Sequence, residues 1–316
     1  MTQTTAVLIP QFGTPDVLQA GSVDVRPPRA GEVRIAVQAA AVNPTDIATR
    51  SGLVAAAYAD FTPPYIAGMD AAGTVESIGD GVTRLSPGDP VMAIVMPRRP
   101  EGGAHSALIV VPEAAVAPIP DGLSVEQAAM LPMNGLTALE ALSCLDLAPG
   151  STLGITGGAG YLSAFVTVLA KRAGITVIAD GRPDDRDTLL RRGVDVVVER
   201  GSGLAQRFYA ATGSGLDAVL DTALLGADLF DAIRDNGRFA TVRTFDDVAP
   251  RGISVRPVWV RERLLDTAGL LELSALATEG AFDFLDVTGR YGPDRAADAH
   301  RAVEAGGLRG RPLIVF

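Results

Sequence analysis

Three glycines and an acid form the group of residues in this chain with the clearest chemical potential. Gly157, Gly158 and Gly160 follow the short apolar run Ser151–Thr156, and Leu162, Phe165, Val166, Leu169 and Ala170 then recur at helical spacing. Ala173–Gly174 stops that helix, Ile175–Ala179 is a second apolar run, and Asp180 closes it. A strand that feeds a helix leaves unsatisfied backbone N–H groups at the helix N-terminus, and those groups suit a pyrophosphate. The order strand, glycine turn, helix, strand, acid is the context a dinucleotide fingerprint requires. Gly158 is expected to allow the tight turn and Gly160 the close approach of backbone to phosphate, with Gly157, Tyr161 and Leu162 beside them. Ser163 stands where the fingerprint usually has its third glycine, and it is small enough for helix–strand packing. Asp180 is expected to accept hydrogen bonds from an adenosine ribose, which favours NADH because a carboxylate repels a 2′-phosphate. The competing reading of this stretch is an ordinary glycine-rich βαβ turn with no ligand.

The surrounding pattern shows what must hold these residues. Residues 5–120 read as β-rich and turn-punctuated, with strands over Ala6–Ile9, Val33–Ala41, Gly73–Ile78, Asp89–Val95 and Ala107–Val111. From about residue 122 the pattern changes. Ser124 is placed to cap a helix to Met130, Asn134–Leu145 reads as a second helix, and strands are predicted over Val194–Glu199, Leu216–Asp221 and Arg238–Arg243, with a helix over Gly226–Asp235. Such alternation predicts an α/β unit with a parallel sheet covered by helices. Open sheets of that kind bind ligands at the C-terminal ends of their strands, so Thr241 and Val242 are candidate cofactor neighbours. Asp294–Ala305 reads as a helix and Pro312–Phe316 as a terminal strand that returns to the first domain.

Composition narrows the function classes. The chain has 316 residues, 47% hydrophobic and 20% charged, and a net charge of −10 from 27 basic and 37 acidic residues. Without a basic block, nucleic-acid or anionic-membrane binding is not expected. No apolar run is expected to reach a membrane span, and the first residues lack a basic segment followed by an apolar one, so a cytoplasmic protein is expected. One cysteine, Cys144, allows no internal disulfide. The only other soft metal ligands are His105 and His300, and no CxxC or HxxxH spacing occurs. Metal binding is therefore not expected. Cys144 reads as a small buried hydrophobe, and each lone histidine as a packing or surface residue.

Several landmarks beyond the fingerprint lie in order along the chain: VNPTDIATRSG (42–52), GMDAAGTVESIGDGVTRLSPGDPV (68–91), GGAHSALIVVP (102–112), IPDGLSVEQAAMLPMNGLTALEAL (119–142) and AHRAVEAGGLRGRPLIVF (299–316). With them the chain resembles the medium-chain dehydrogenase/reductase superfamily, in its zinc-independent quinone oxidoreductase-like branch. The resemblance implies a Rossmann doubly wound parallel-sheet domain (122–285) inserted into a GroES-like β-rich pseudo-barrel domain (1–121 plus 286–316), with the active site in the cleft between them, and a homodimer. Zinc-dependent members carry a Cys and a His-Glu pair where this chain has Asn43, Met69 and Asp70. The implied activity is NADPH- or NADH-dependent hydride transfer to a quinone or an activated C=C bond. Asn43 and Asp46 match the family's active-site loop, although both residue types also favour turns and helix caps. Tyr58 lies in the variable segment that borders substrate and is the candidate proton or hydrogen-bond donor. Thr137 is placed to bond the nicotinamide ribose or carboxamide, or else to cap its helix. Arg182 stands where many NADPH-using relatives have a cation, against the indication from Asp180. Two other readings stay open: a tailoring enoyl or keto reductase for a polyketide-like substrate, and a non-enzymatic dinucleotide-binding redox sensor.

Overall fold

A computed structural model describes residues 1–316. The chain divides into two compact units, Met1–Met133 with Arg263–Phe316, and Asn134–Glu262. Residues 122–133 and 263–285 thus group with the first unit, not with the nucleotide-type sheet.

The first unit is built on antiparallel pairing. Strands β1 (Thr2–Leu8) and β2 (Gln19–Val25) make a two-stranded ladder. Strand β3 (Glu32–Ala41) is the hub: one half pairs with β6 (Leu108–Pro112), and β4 (Asp70–Ile78) runs along its length. Beyond β4 lie β5 (Pro90–Ile94) and β7 (Val116–Pro118). Val33, Ile35 and Val37 alternate into the core with Val75, Val91, Ile109, Val111 and Val116, the period-2 pattern of a sheet with one buried face. The short helix Pro44–Ser51 begins directly after β3 because Pro44 suits a first helical position, and Gly52, at φ +83°, ends it.

The second unit is a six-stranded all-parallel sheet. Its strands are β8 (Thr152–Ile155), β9 (Thr176–Gly181), β10 (Val196–Glu199), β11 (Leu216–Asp221), β12 (Ile233–Thr241) and β13 (Ser254–Pro257), arranged β10-β9-β8-β11-β12-β13. This is the doubly wound Rossmann order, and its strand order reverses between β8 and β11. The helix expected over Gly226–Asp235 is not formed. Gly226–Ala232 is a 3₁₀ segment, and β12 begins at Ile233, earlier than the expected Arg238. The β-branched Ile233 pairs with Leu216, and Asn236 takes positive φ (+56°) to turn the chain mid-strand. Tertiary pairing overrides the local helical spacing there.

The C-terminal part completes the first unit. Helix Thr267–Thr278, absent from the sequence expectation, is capped by Asp266, whose side chain accepts from the Gly269 N–H at 2.8 Å. Strands β14 (Val287–Tyr291) and β15 (Arg311–Val315) are parallel, joined by helix Ala296–Ala305, and β15 pairs with the end of β3. One further expectation is corrected. The stretch Val125–Leu145 is long and apolar enough to cross a membrane, with mean hydropathy 1.2 over 18 residues, but 72% of that window is buried in the protein. Its apolarity serves the core.

Candidate functional site

The residues selected from sequence fall into two clusters, one in each unit. In the second unit, the glycine turn sits at the C-terminal end of β8, where the strand order reverses. Gly157, not Gly158, supplies the positive φ (+64°). A Cβ on Gly158 would lie 2.5 Å from the Asp180 carbonyl oxygen and 2.7 Å from the Ala179 Cβ. Its glycine is required by contact with β9, so the roles expected for the first glycines are redistributed. A Cβ on Gly160 would meet the Gly157 carbonyl at 2.8 Å. Gly160 precedes helix Tyr161–Arg172, and no side chain caps that N-terminus. The turn therefore presents backbone, unobstructed by side chains, at the positive end of a helix dipole.

Ser163 does more than fit the space of a glycine. Its hydroxyl donates to the Gly157 carbonyl at 2.9 Å and lies 3.3 Å from the Thr222 Oγ1. Thr222 donates to the Thr156 carbonyl at 2.6 Å, and Thr156 Oγ1 donates to Asp221 at 2.7 Å. Asp221 also accepts from the Gly226 N–H. This buried network pins both strand ends under the turn. The sequence reading missed Thr156, Asp221 and Thr222. The available signal was an acid closing an apolar strand next to the fingerprint strand.

Asp180 is buried, and its Oδ1 accepts the Gly158 N–H at 3.0 Å. Its Oδ2 lies 3.9 Å from Nε of the exposed Arg200. The Arg200 N–H bonds the Gly181 carbonyl, so Arg200 and the exposed Arg182 leave the ends of adjacent strands side by side. Tyr161 is buried edge-on to Phe165, 5.3 Å between centroids, while Leu162 is half-buried. Thr137 and Thr241 are buried, and Val242 is half-buried just past the end of β12.

The first unit holds Asn43, Asp46 and Tyr58, all buried. Asn43 caps helix Pro44–Ser51, but its side chain is turned elsewhere. Its Nδ2 donates to Asp70 at 2.8 Å, and its Oδ1 accepts from Arg311 Nε at 2.8 Å. Asp46, three residues on, receives the Asn43 N–H at 2.7 Å and the Gly68 N–H at 2.8 Å. Burial pushes its carboxyl above the usual range, opposed by nearby His105. Asp70 accepts the Met133 N–H at 2.6 Å, and burial pushes its pKa up to about 7. Tyr58 OH lies 3.4 Å from Thr49 Oγ1 within a cluster of Phe12, Phe61 and Tyr65. Burial raises its pKa, so it keeps its proton at neutral pH and can donate.

These positions do not fit a zinc ion. Asn43 and Asp70 are bonded to each other, the Arg311 guanidinium already supplies a cation beside them, and Met69 is packed in the core. No three His, Cys, Asp or Glu side chains converge in a ligand set.

The chain matches the alcohol dehydrogenase GroES-like domain family over residues 29–121 and the zinc-binding dehydrogenase family over residues 192–314. It is 31% identical over 234 residues to a zinc-type alcohol dehydrogenase-like protein of Staphylococcus epidermidis, covering 71% of this chain and 67% of that one. It is also 31% identical over 304 residues to pikromycin polyketide synthase component PikAII of Streptomyces venezuelae. That match covers 90% of this chain, which spans only 8% of the synthase. Among solved structures, the quinone oxidoreductase of Coxiella burnetii superposes with TM-score 0.85 at 26% identity over 100% of both chains. A mycobacterial protein solved with NADPH superposes with TM-score 0.83 at 26% identity, covering 99% of this chain and 100% of that one.

Proposed function

We propose a zinc-independent hydride transfer for this chain, which belongs to the medium-chain dehydrogenase/reductase superfamily: reduction of a quinone or an activated C=C bond at the expense of NADPH. The observation that carries the reading is the glycine turn. Its backbone is kept clear of side chains by close contacts that forbid a Cβ, at the strand-order reversal where this sheet type binds dinucleotides. A dinucleotide-binding redox sensor would use the same cradle, so turnover rather than binding separates it from a reductase.

A bound reduced nicotinamide supplies the hydride, and the chain supplies placement, charge and a proton. Gly157, Gly158 and Gly160 present the helix N-terminus to the pyrophosphate. Thr137, Thr241 and Val242 are assigned to the nicotinamide end. Quinones and enones accept hydride without a Lewis acid because the charge delocalises onto a carbonyl oxygen, so the site needs hydrogen-bond donors and orientation more than a metal. Tyr58 is the assigned donor, and Asn43 and Asp46 hold the loop that carries the substrate wall.

The preference for NADPH rests on charge. The Asp180 carboxylate is engaged by Gly158 N–H and screened by Arg200, and Arg182 stands beside Arg200 at the adjacent strand end. Two guanidinium groups there suit a 2′-phosphate. Binding of NADPH and NADH followed by nicotinamide fluorescence, then turnover on a panel of quinones and enones, tests the reading. It fails if neither cofactor binds, and the cofactor assignment fails if kcat/KM is higher with NADH.

A further inference from the structure

One cation of the first unit is left without a partner. Arg98 is half-buried, and its guanidinium makes no hydrogen bond or ion pair with the protein. Every other buried or half-buried arginine of that unit is engaged. Arg26, Arg34, Arg50 and Arg263 each pair with a carboxylate, Arg311 bonds Asn43, and Arg99 bonds two carbonyls.

Arg98 stands on the loop that leaves β5, and its charged neighbours there hold that loop in place. Arg99 donates from Nε to the Gly102 carbonyl at 2.8 Å and from Nη1 to the Val110 carbonyl at 2.7 Å. Glu101 accepts from Arg26 Nε at 2.8 Å. Gly102, at φ +72°, closes the turn, and a Cβ there would lie 2.7 Å from the Ile66 Cβ. The chain then runs beside the segment that follows Tyr65: the Gly103 N–H donates to the Ile66 carbonyl at 2.8 Å and the Ala104 N–H to the Gly68 carbonyl at 2.9 Å. The Tyr65 ring is stacked on Phe12 and edge-on to Tyr58, 5.1 Å between centroids in both pairs. Phe12, Phe61 and Tyr65 are half-buried, so they leave ring surface uncovered above the buried Tyr58. Burial raises the Tyr58 pKa, and the Arg98 charge is among the influences that oppose the rise. The loop bonds and this charge put Arg98 at the aromatic group.

A half-buried guanidinium gives up part of its hydration, and no acceptor in the protein offsets that loss. A ligand anion would. We propose that Arg98 is a specificity-determining residue that binds an anionic group on the acceptor, a carboxylate or sulfonate carried by a planar conjugated ring system that packs against Phe12, Phe61 and Tyr65. A guanidinium fork matches such a group in shape as well as charge. In a chain of net charge −10, a lone cation at the aromatic group is also what lets an anion approach. The oxyanion formed on hydride transfer is transient and is met by the Tyr58 proton, whereas a resting guanidinium calls for a resting anion. The inference rests on the reductase reading in calling the ligand an acceptor; its recognition by Arg98 needs no turnover.

Isothermal titration calorimetry of the whole protein with 2-naphthoate and with its neutral counterpart 2-naphthamide, NADP+ present, tests the recognition without a reaction. The expected result is about tenfold tighter binding of the carboxylate, lost in Arg98→Gln and partly kept in Arg98→Lys. Arg98 bonds nothing in the fold, so circular dichroism should show both variants folded. Equal affinity for the two probes, no binding of 2-naphthoate, or a carboxylate preference that survives Arg98→Gln overturns the proposal. Turnover is read separately. The ratio of kcat/KM for 1,4-naphthoquinone-2-sulfonate to that for 1,4-naphthoquinone should fall about tenfold in Arg98→Gln, and an unchanged ratio overturns the proposal as well. A protein that prefers 2-naphthoate through Arg98 but reduces neither quinone nor any enone refutes the reductase reading and supports Arg98 as the anion-binding residue.

Discussion

Replacing Asp70 with Asn should make stability respond to pH in a way that can be worked out in advance. The Asp70 carboxyl is completely enclosed, and burial raises its pKa from an ordinary 3.8 to about 7 against the pull of Met133 N–H and Asn43. Between those values the folded chain keeps a proton that the unfolded chain has released. The folded state then binds more protons, so the contribution of this carboxyl to stability is greatest below about pH 4 and is lost as pH rises through 7. At about 1.4 kcal/mol per tenfold change in proton affinity, the full loss is about 4 kcal/mol, with a slope of at most about 1.4 kcal/mol per pH unit. Asp70→Asn carries no such proton. His300 works in the opposite sense, since its pKa is lowered from 6.5 to about 2 and it weakens the fold as pH falls below 6.5. That contribution is common to both proteins and cancels in their difference, whereas Asp46, whose charge Asp70 feels, changes with the substitution and adds a smaller part. Urea unfolding at several pH values from 4 to 8, with linear extrapolation, should show the Asn variant gaining on the wild type by several kcal/mol across the range. A difference that stays constant with pH would refute the reasoning, because it would mean the carboxyl is ionised in the fold.

Other outcomes follow from the same geometry. Gly158→Ala forces β9 away from a Cβ at 2.5 Å; we expect a cost of about 1–3 kcal/mol in thermal or urea unfolding and loss of NADPH fluorescence enhancement, while unchanged binding would remove the cradle role. Arg200→Ala should lower kcat/KM with NADPH more than with NADH, read from the ratio of the two; an equal drop argues against a 2′-phosphate contact. Tyr58→Phe should reduce kcat about 10²-fold if the phenol donates the proton, and an unchanged kcat on a quinone removes it from the reaction. Strand β13 is the outermost strand of the parallel sheet, and an unpaired edge invites a second copy; light scattering should give a dimer, and a proline at Val255 should give a monomer.

The nucleotide-type unit was legible where function depends on neighbours in sequence. The run from Ser151 to Asp180 names its own strand, turn and helix, because glycine spacing and helical periodicity are local signals. Its supporting network was not legible. Thr156 and Asp221 are 65 residues apart, and their bond exists only because β8 and β11 are adjacent in the sheet. The same holds for the edge-to-face rings of His105 and His300, each of which looks solitary in sequence. Asn43 and Asp46 were selected by resemblance; their partners Gly68 and Arg311 lie in landmark stretches of their own, and nothing local to either stretch pairs it with that loop. The misread segment at Gly226–Asp235 has helical spacing, but it is wound as a 3₁₀ turn to Ala232 and the strand slot between β11 and β13 claims its last three residues.

The insertion of one unit within the other has a consequence for how the chain acquires its structure. Asn134–Glu262 is continuous, so its sheet closes from contacts it contains itself. The first unit is split: its hub strand β3 needs β15, and the Asn43–Arg311 bond joins residues 268 positions apart. Such closures carry a large entropic cost and are slow to form. The parallel-sheet unit, whose pairings all lie within one continuous stretch, is therefore expected to form ahead of the split unit. Refolding monitored at Trp259, inside the early unit, should finish ahead of any probe placed on β15.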